Sequence, residues 1–266
     1  MLTHAVVIET LYTVRTMVPD VEAHVRRLWR HRGTALPTPR RGPRQQLDLD
    51  QILEAGIALA DAQGLAAVST RAIAARFGKT PMALYPYVGP KEDLLALMQD
   101  HASAMPAWRD PATSLVAALG AWAQALFQVY LAHPWLTRRP WAQATQGPNE
   151  QDWLERLLQI LQRWDVPPRA RPSAVTMVYA TVRACAETAA AYQRMDEHGA
   201  AGWRRHAEET RRQVPDLCRR YPLSTGLEPL TPRWQDAPRA GLTGAVDLLA
   251  LALRSTSAEA AAEPSS

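Results

Sequence analysis

Lysine is almost missing from this sequence: Lys79 and Lys91 are the only two, so arginine supplies nearly all of the positive charge. We read that as the coding bias of a GC-rich genome and attach no function to it. Cysteine is as scarce. Cys185 and Cys218 stand far apart with no metal or redox spacing, which fits a reducing cytoplasm. β-Branched runs with strict alternation are absent, which argues against sheet. No uncharged apolar run is expected to approach the roughly 18 residues of a membrane span. The opening MLTHAVVIETLYTV lacks a basic start and is broken by Glu9, so it is not expected to be a signal peptide. No Gly-x-Ser-x-Gly, phosphate-cradling glycine loop or His/Glu metal pattern occurs, and the seven histidines are scattered. Enzyme activity, a metal site and a cofactor are therefore not expected.

What is present is alanine, leucine and arginine in helical patterns, so an all-α chain is expected. At 266 residues and 47% hydrophobic content it can bury a core split over two domains. Charge is placed unevenly. Residues 1–47 hold eight arginines against Glu9, Asp20 and Glu22, which exceeds the net +4 of the whole chain. Such a front end suits a nucleic-acid arm, a patch for acidic membrane, or a solvated tail. Residues 33–46 carry three prolines and two glycines and read as a linker. The expected organisation is a basic extension and linker (1–46), a compact helical block (47–105), a helical region (106–254) and a disordered tail (255–266). In the third part, helices are expected at about 112–132, 149–164, 171–195, 201–214 and 237–254, with 219–236 a long connection.

The compact block is the most informative. Leu49, Ile52, Leu53, Gly56, Leu59 and Ala60 form one apolar stripe at helical spacing, with Asp48 or Asp50 as the cap and Gly64 as the stop. Ser69 caps a second, short helix with Ile73, Ala74 and Phe77 inward, and Gly78 stops it. Thr80 and Pro81 open a third short helix carrying Leu84 and Val88, and Gly89-Pro90 introduces a fourth. Two short helices joined by a tight glycine turn make a helix-turn-helix, whose second helix can enter a major groove. Its outward residues would be Thr80, Pro81, Met82, Tyr85 and Tyr87: hydroxyls for bases or phosphates, and apolar atoms for a thymine methyl. A small helical hairpin that enters no groove has the same periodicity.

The run LDLDQILEAGIALADAQGLAAVSTRAIAARFGKTPMALYPYVGPKEDLLALM resembles the N-terminal DNA-binding domain of the tetracycline-repressor-like (TetR) family over about 55 residues. The specific motifs are Ala-Asp-x-x-Gly near helix one, Ser-Thr-Arg opening helix two, and LY-x-Y-V before Lys91. The resemblance implies backbone contacts from Thr70, and backbone and base contacts from Arg71. It places Met82, Ala83 and Tyr85 in the groove, with Tyr87 and Lys91 at phosphates. Two departures touch base preference: Lys79 follows the turn glycine where many relatives have an apolar residue, and Pro86 lies between the tyrosines. Arg40, Arg41 and Arg44 precede helix one, where similar regulators have a basic extension that follows a minor groove or the backbone.

Residues 112–254 resemble the family's C-terminal domain more loosely, through HPWL at 133–136, GPNE at 147–150 and an Ala-rich helix from about 172. That implies a homodimer seam, for which Ala184, Ala186, Ala189, Ala190, Ala191, Leu248, Leu249 and Leu251 are candidates; ordinary core is the other reading. It also implies a cavity for a small-molecule effector. The candidate lining is Trp122, Phe127, Tyr130, Trp135, Met177, Tyr179, Tyr192 and Trp203, with His133, Arg183 and Glu187 as polar anchors. The expectation is a cytoplasmic, ligand-responsive repressor that binds duplex operator DNA and no membrane. The alternative is a helical small-molecule-binding or scaffold protein that does not read DNA.

Overall fold

The structure, a computed structural model, describes residues 21–33, 47–107, 113–139, 144–195 and 197–262, and among them every regular element is helical. In chain order these are α1 (Val21–Leu28), α2 (Leu49–Gln63), α3 (Thr70–Arg76), α4 (Pro81–Val88), α5 (Lys91–Ala102) and α6 (Leu115–Ala132). They are followed by α7 (Pro148–Arg163), α8 (Arg171–Arg194), α9 (Glu197–Gln213), α10 (Leu217–Arg220), α11 (Pro222–Thr225) and α12 (Ala237–Ala262).

Local chemistry sets the ends of the helices in the compact block at 47–105, the head. The Asp48 carboxylate accepts from the Asp50 N–H at 3.2 Å and caps α2, while Ser69 Oγ accepts from the Ala72 N–H at 3.1 Å and caps α3. At the end of α3 the Lys79 N–H reaches Ala74 O (3.0 Å) and the Gly78 N–H reaches Ala75 O (3.2 Å). That pairing needs a left-handed residue, and Gly78 supplies it at φ +63. The chain therefore leaves α3 and enters α4 within a few residues. Ile52 and Leu53 of α2, Ile73 of α3, Leu84 and Val88 of α4, and Leu94, Leu97 and Met98 of α5 are all fully buried in one cluster. Side chains of this size each contribute roughly 1.5–3 kcal/mol when buried.

In the C-terminal region α6, α8 and α12 pack on one another and α7 closes the side. Trp122 of α6 lies edge-on to Trp153 of α7 (5.5 Å between centroids) and to Tyr179 of α8 (4.9 Å). Its indole N–H donates to Trp153 O at 3.0 Å, so the polar end is satisfied inside the core.

Head and body share buried polar joints. Asp100 of α5 accepts from the backbone N–H groups of Asn149 and Glu150 at 3.1 Å each, so it caps the start of α7 from another element. A Cβ on Gly147 would fall 2.2 Å from Asp100 Oδ1, so only glycine allows this approach. Burial pushes the Asp100 carboxyl up to about 7, with nearby Glu150 adding to the rise, against the hydrogen bonds it accepts from Glu150 and Asn149. Trp153 donates to Ser103 O at 2.7 Å, and Gln99 donates to Glu150 at 2.7 Å while accepting from Arg139 Nε at 2.9 Å. On the other side, Asp61 of α2 accepts from Trp135 Nε1 (2.8 Å) and pairs with His133 Nδ1 (3.0 Å).

Four expectations are corrected. Leu115–Ala132 is an uncharged run of 18 residues with mean hydropathy 1.5, so a stretch of membrane-spanning length does exist. Its Leu119, Trp122, Ala123 and Phe127 pack in the body's core, which accounts for the composition. Residues 21–28, assigned to an extension, form α1 packed on α4 and α5. Helix α12 runs to Ala262, past the expected boundary at 254. The 219–236 connection contains α11 and a 3₁₀ turn at Trp234–Asp236.

Candidate nucleic-acid interface

The reading face follows from which side of each short helix the core consumes. Helix α3 buries Ile73 and Ala74 and leaves Arg71 exposed next to half-buried Thr70. Helix α4 buries Leu84 and Val88, which turns Met82 (71% exposed) and Tyr85 (45%) outward. Thr80 occupies the cap position of α4, but its side chain makes no capping hydrogen bond. Pro81 follows at the first helical position, half-buried, and Ala83 packs partly on the core. Lys91 is exposed at the first residue of α5. Tyr87 is half-buried against the core, so it presents an edge to solvent and not a full ring. Arg40, Arg41 and Arg44 lie outside the described residues.

Pro86 sits inside α4 without ending it. The penalty of an interior proline is limited here because α4 is eight residues long and Pro86 lies in its last turn. Pro90 also lacks an N–H, so the Pro86 carbonyl has no ordinary i+4 donor. Arg27 Nη2 fills the position at 3.4 Å.

That contact comes from a region in which the sequence showed only charge. The Arg30 guanidinium, almost fully buried, pairs with Asp50, donates to Arg27 O at 2.8 Å and lies 3.2 Å from His101 Nδ1. Burial works to raise the Asp50 carboxyl, yet the hydrogen bonds and charge of Arg30 and His31 hold it below its usual value. Burial, with the Arg30 charge, pushes the His101 imidazole down. Arg32 pairs with Asp152 of α7. Arg27 and Arg30 therefore organise the head as well as charging it, and Arg32 ties it to α7. Val21, His24, Val25, Leu28 and Trp29 stand at helical spacing in the sequence, a signal that could have revealed α1.

The candidate effector residues do not gather at one place. Trp122, Phe127 and Tyr130 are buried in packed core. Tyr130 sits beside Arg183, and burial raises its phenol, with Arg183 opposing. Arg183 donates to the carbonyl of Arg139 from α8. His133 is engaged by Asp61 at the head joint, which takes it out of the cluster. Met177 (54% exposed) and Glu187 face solvent. Tyr192 stacks edge-on against Trp234 at 4.6 Å. The structure thus brings together Trp122, Tyr130, Tyr179 and Arg183 from the expected lining, while Trp135 sits at the Asp61 joint and Trp203 is exposed. In the candidate seam, Ala186, Ala189, Ala190 and Leu249 are buried within the protomer, while Leu248 (70%) and Leu251 (58%) are exposed together with Ala184 and Ala191.

A glycine-turned pair of short helices with an exposed polar and aromatic face, carried on an all-helical body, defines a helix-turn-helix DNA-binding regulator. Comparison with known proteins agrees. The family profile "Bacterial regulatory proteins, tetR family" matches residues 52–98, and "Tetracyclin repressor-like, C-terminal domain" matches 108–237. The chain is 33% identical over 203 residues to the HTH-type transcriptional repressor DrrR1 of Streptomyces coeruleorubidus, covering 71% of this chain and 72% of that protein. Its fold is similar to apo ActR of Streptomyces coelicolor, with TM-score 0.65 and 21% identity over 80% of this chain and 98% of that one. The structure of ActR in complex with actinorhodin gives TM-score 0.66 and 22% identity, with coverage of 81% and 99%. The chain belongs to the TetR family and is a DNA-binding transcriptional regulator.

Proposed function

We propose that this protein is a cytoplasmic homodimeric repressor that holds an operator through its two heads and is released by a small molecule bound in the C-terminal region. The head spans 47–105 and the effector and dimer region 106–254. The observation that carries the reading is the outward face of α3 and α4: Arg71, Thr80, Met82 and Tyr85 are open to solvent, while Ile73, Ala74, Leu84 and Val88 on the opposite faces are packed. A stability-only hairpin has no need of an exposed Met82 beside an exposed Tyr85. Thr70, Pro81, Ala83, Tyr87 and Lys91 complete the duplex contacts, with Arg40, Arg41 and Arg44 ahead of them in the chain.

For the effector, a planar molecule with a polar edge would suit the place where Trp122, Tyr130 and Tyr179 meet Arg183, and it would have to part rings that are packed together there and take the guanidinium from the Arg139 carbonyl. DrrR1 is named as a repressor and ActR was solved with actinorhodin, which favours repression and a small-molecule signal here too. For the dimer, the exposed Leu248 and Leu251 on α12 and Met177, Ala180 and Ala184 on α8 form apolar faces on neighbouring helices. A gel-shift with the DNA upstream of the protein's own coding region tests the reading. A complex competed by the same unlabelled DNA but not by unrelated DNA supports it. Absence of any complex favours the scaffold alternative.

A further inference from the structure

Helix α1 is part of the reading head. Leu28 and His24 are buried beneath it, His24 Nδ1 lies 3.4 Å from Asp93 Oδ2 of α5, and Arg30 is clasped by Asp50 of α2. This docking leaves a groove of about 490 Å³ between α1, the start of α2 and the end of α4. Its walls hold Arg26, Arg27, Arg30 and His31 on one side and Pro86 and Tyr87 on the other.

The charges in the groove are not equivalent. Arg30 pairs with Asp50, which offsets its charge, and His31 Nε2 lies 3.0 Å from the same carboxylate. Arg26 pairs with Glu22 one turn away, an exposed contact that salt or a competing anion displaces. Arg27 lies at the end of α4, held by the Pro86 carbonyl at 3.4 Å. Asp48 also lines the groove, and its carboxylate is turned to the α2 cap. Pro86 is exposed and follows Met82 by one helical turn, so the groove opens onto the same side of α4 as the reading face. Cations at this place meet whatever backbone flanks the bases that α4 reads.

We infer that α1 and the end of α4 form a clamp for DNA-backbone phosphate, with Arg26 and Arg27 as the cations and the Tyr87 hydroxyl as a further donor. The inference rests on the DNA-binding reading of the head. A guanidinium fork presents two N–H groups to a phosphodiester, and the contact fixes register without reading sequence.

Because the contact is sequence-independent, a mixed-sequence duplex of about 30 base pairs is a sufficient probe, read by fluorescence anisotropy as a function of salt. Arg26→Ala and Arg27→Ala should each reduce the slope of log affinity against log salt by about 0.9, and the double variant by about twice that. Arg27→Lys, which keeps the charge, should recover most of the slope. Arg212→Ala on α9, remote from the groove and paired with Glu209, should leave it unchanged. If Arg27→Ala lowers the melting temperature, Arg26→Gln decides alone, because that side chain pairs with exposed Glu22 and not with the core. A double variant with wild-type slope, when Lys91→Ala still lowers it, overturns the clamp and leaves the DNA reading intact. Wild-type protein that binds no duplex overturns both. Loss of inorganic-phosphate binding without any change on DNA would make the groove a free-anion site and also overturn the clamp.

Discussion

Arg71 and Tyr85 stand on different helices, and each is exposed while the opposite face of its helix is packed. Arg71→Ala and Tyr85→Ala should each weaken specific operator binding by about 1–3 kcal/mol, the range for a base-reading contact, with little change in melting temperature. Anisotropy titrations with specific and scrambled duplexes separate that from a general loss. Asp100 makes a second residue-level prediction. Its carboxyl is raised to about 7, chiefly by burial, so the folded protein favours the neutral form. Stability from this group is complete below the ordinary aspartate value near 3.8 and is lost as pH rises through about 7. Asp100→Asn keeps an acceptor for the α7 amides but cannot ionise. Melting curves between about pH 5 and 8 should fall with pH in the wild type and flatten in the variant; parallel curves would show that Asp100 does not titrate there.

At the scale of elements, the proposed dimer rests on α8 and α12. Ala189 and Leu249 are inside the protomer, so a charge there would unfold the body and report nothing about a partner. Leu248→Glu with Leu251→Glu is the informative change, because both side chains are exposed in the protomer. Sedimentation should give folded monomers. A dimer that persists places the seam elsewhere. This is also where the limits of the sequence lie. The caps at Asp48 and Ser69, the Gly78 turn and the inward Leu84 and Val88 were legible because each depends on residues within one or two turns. Arg30–Asp50, His24–Asp93 and Asp61–Trp135 were not, since they join positions 20, 69 and 74 apart and no local pattern encodes such pairs. Residue type gave His133, Met177 and Glu187 as effector candidates, and the structure sets all three apart from the Trp122 group. A histidine in HPWL was needed at a domain joint, and an apolar Met177 stands exposed.

For the whole molecule, α5 is the mechanical link. It lies in the head's core through Leu94, Leu97 and Met98, and its end caps α7 through Asp100. An effector that shifts α7 therefore moves the head. It can release DNA only by binding the released form more tightly, and couplings of about 1–3 kcal/mol correspond to about 5–150-fold. Operator must then weaken effector binding by the same factor, which calorimetry with and without operator would measure. Equal affinities would mean the ligand is no inducer.

The central claim is that two identical heads on one dimer read duplex DNA. Selection of bound duplexes from a random-sequence library tests it with no operator sequence chosen in advance. The enriched sequence should be an inverted repeat whose half-sites lie about 34–36 Å apart, or a multiple of that spacing, and Arg71→Ala should erode its consensus. A pool that stays random after repeated rounds, or converges on a single unrepeated half-site, would contradict the account.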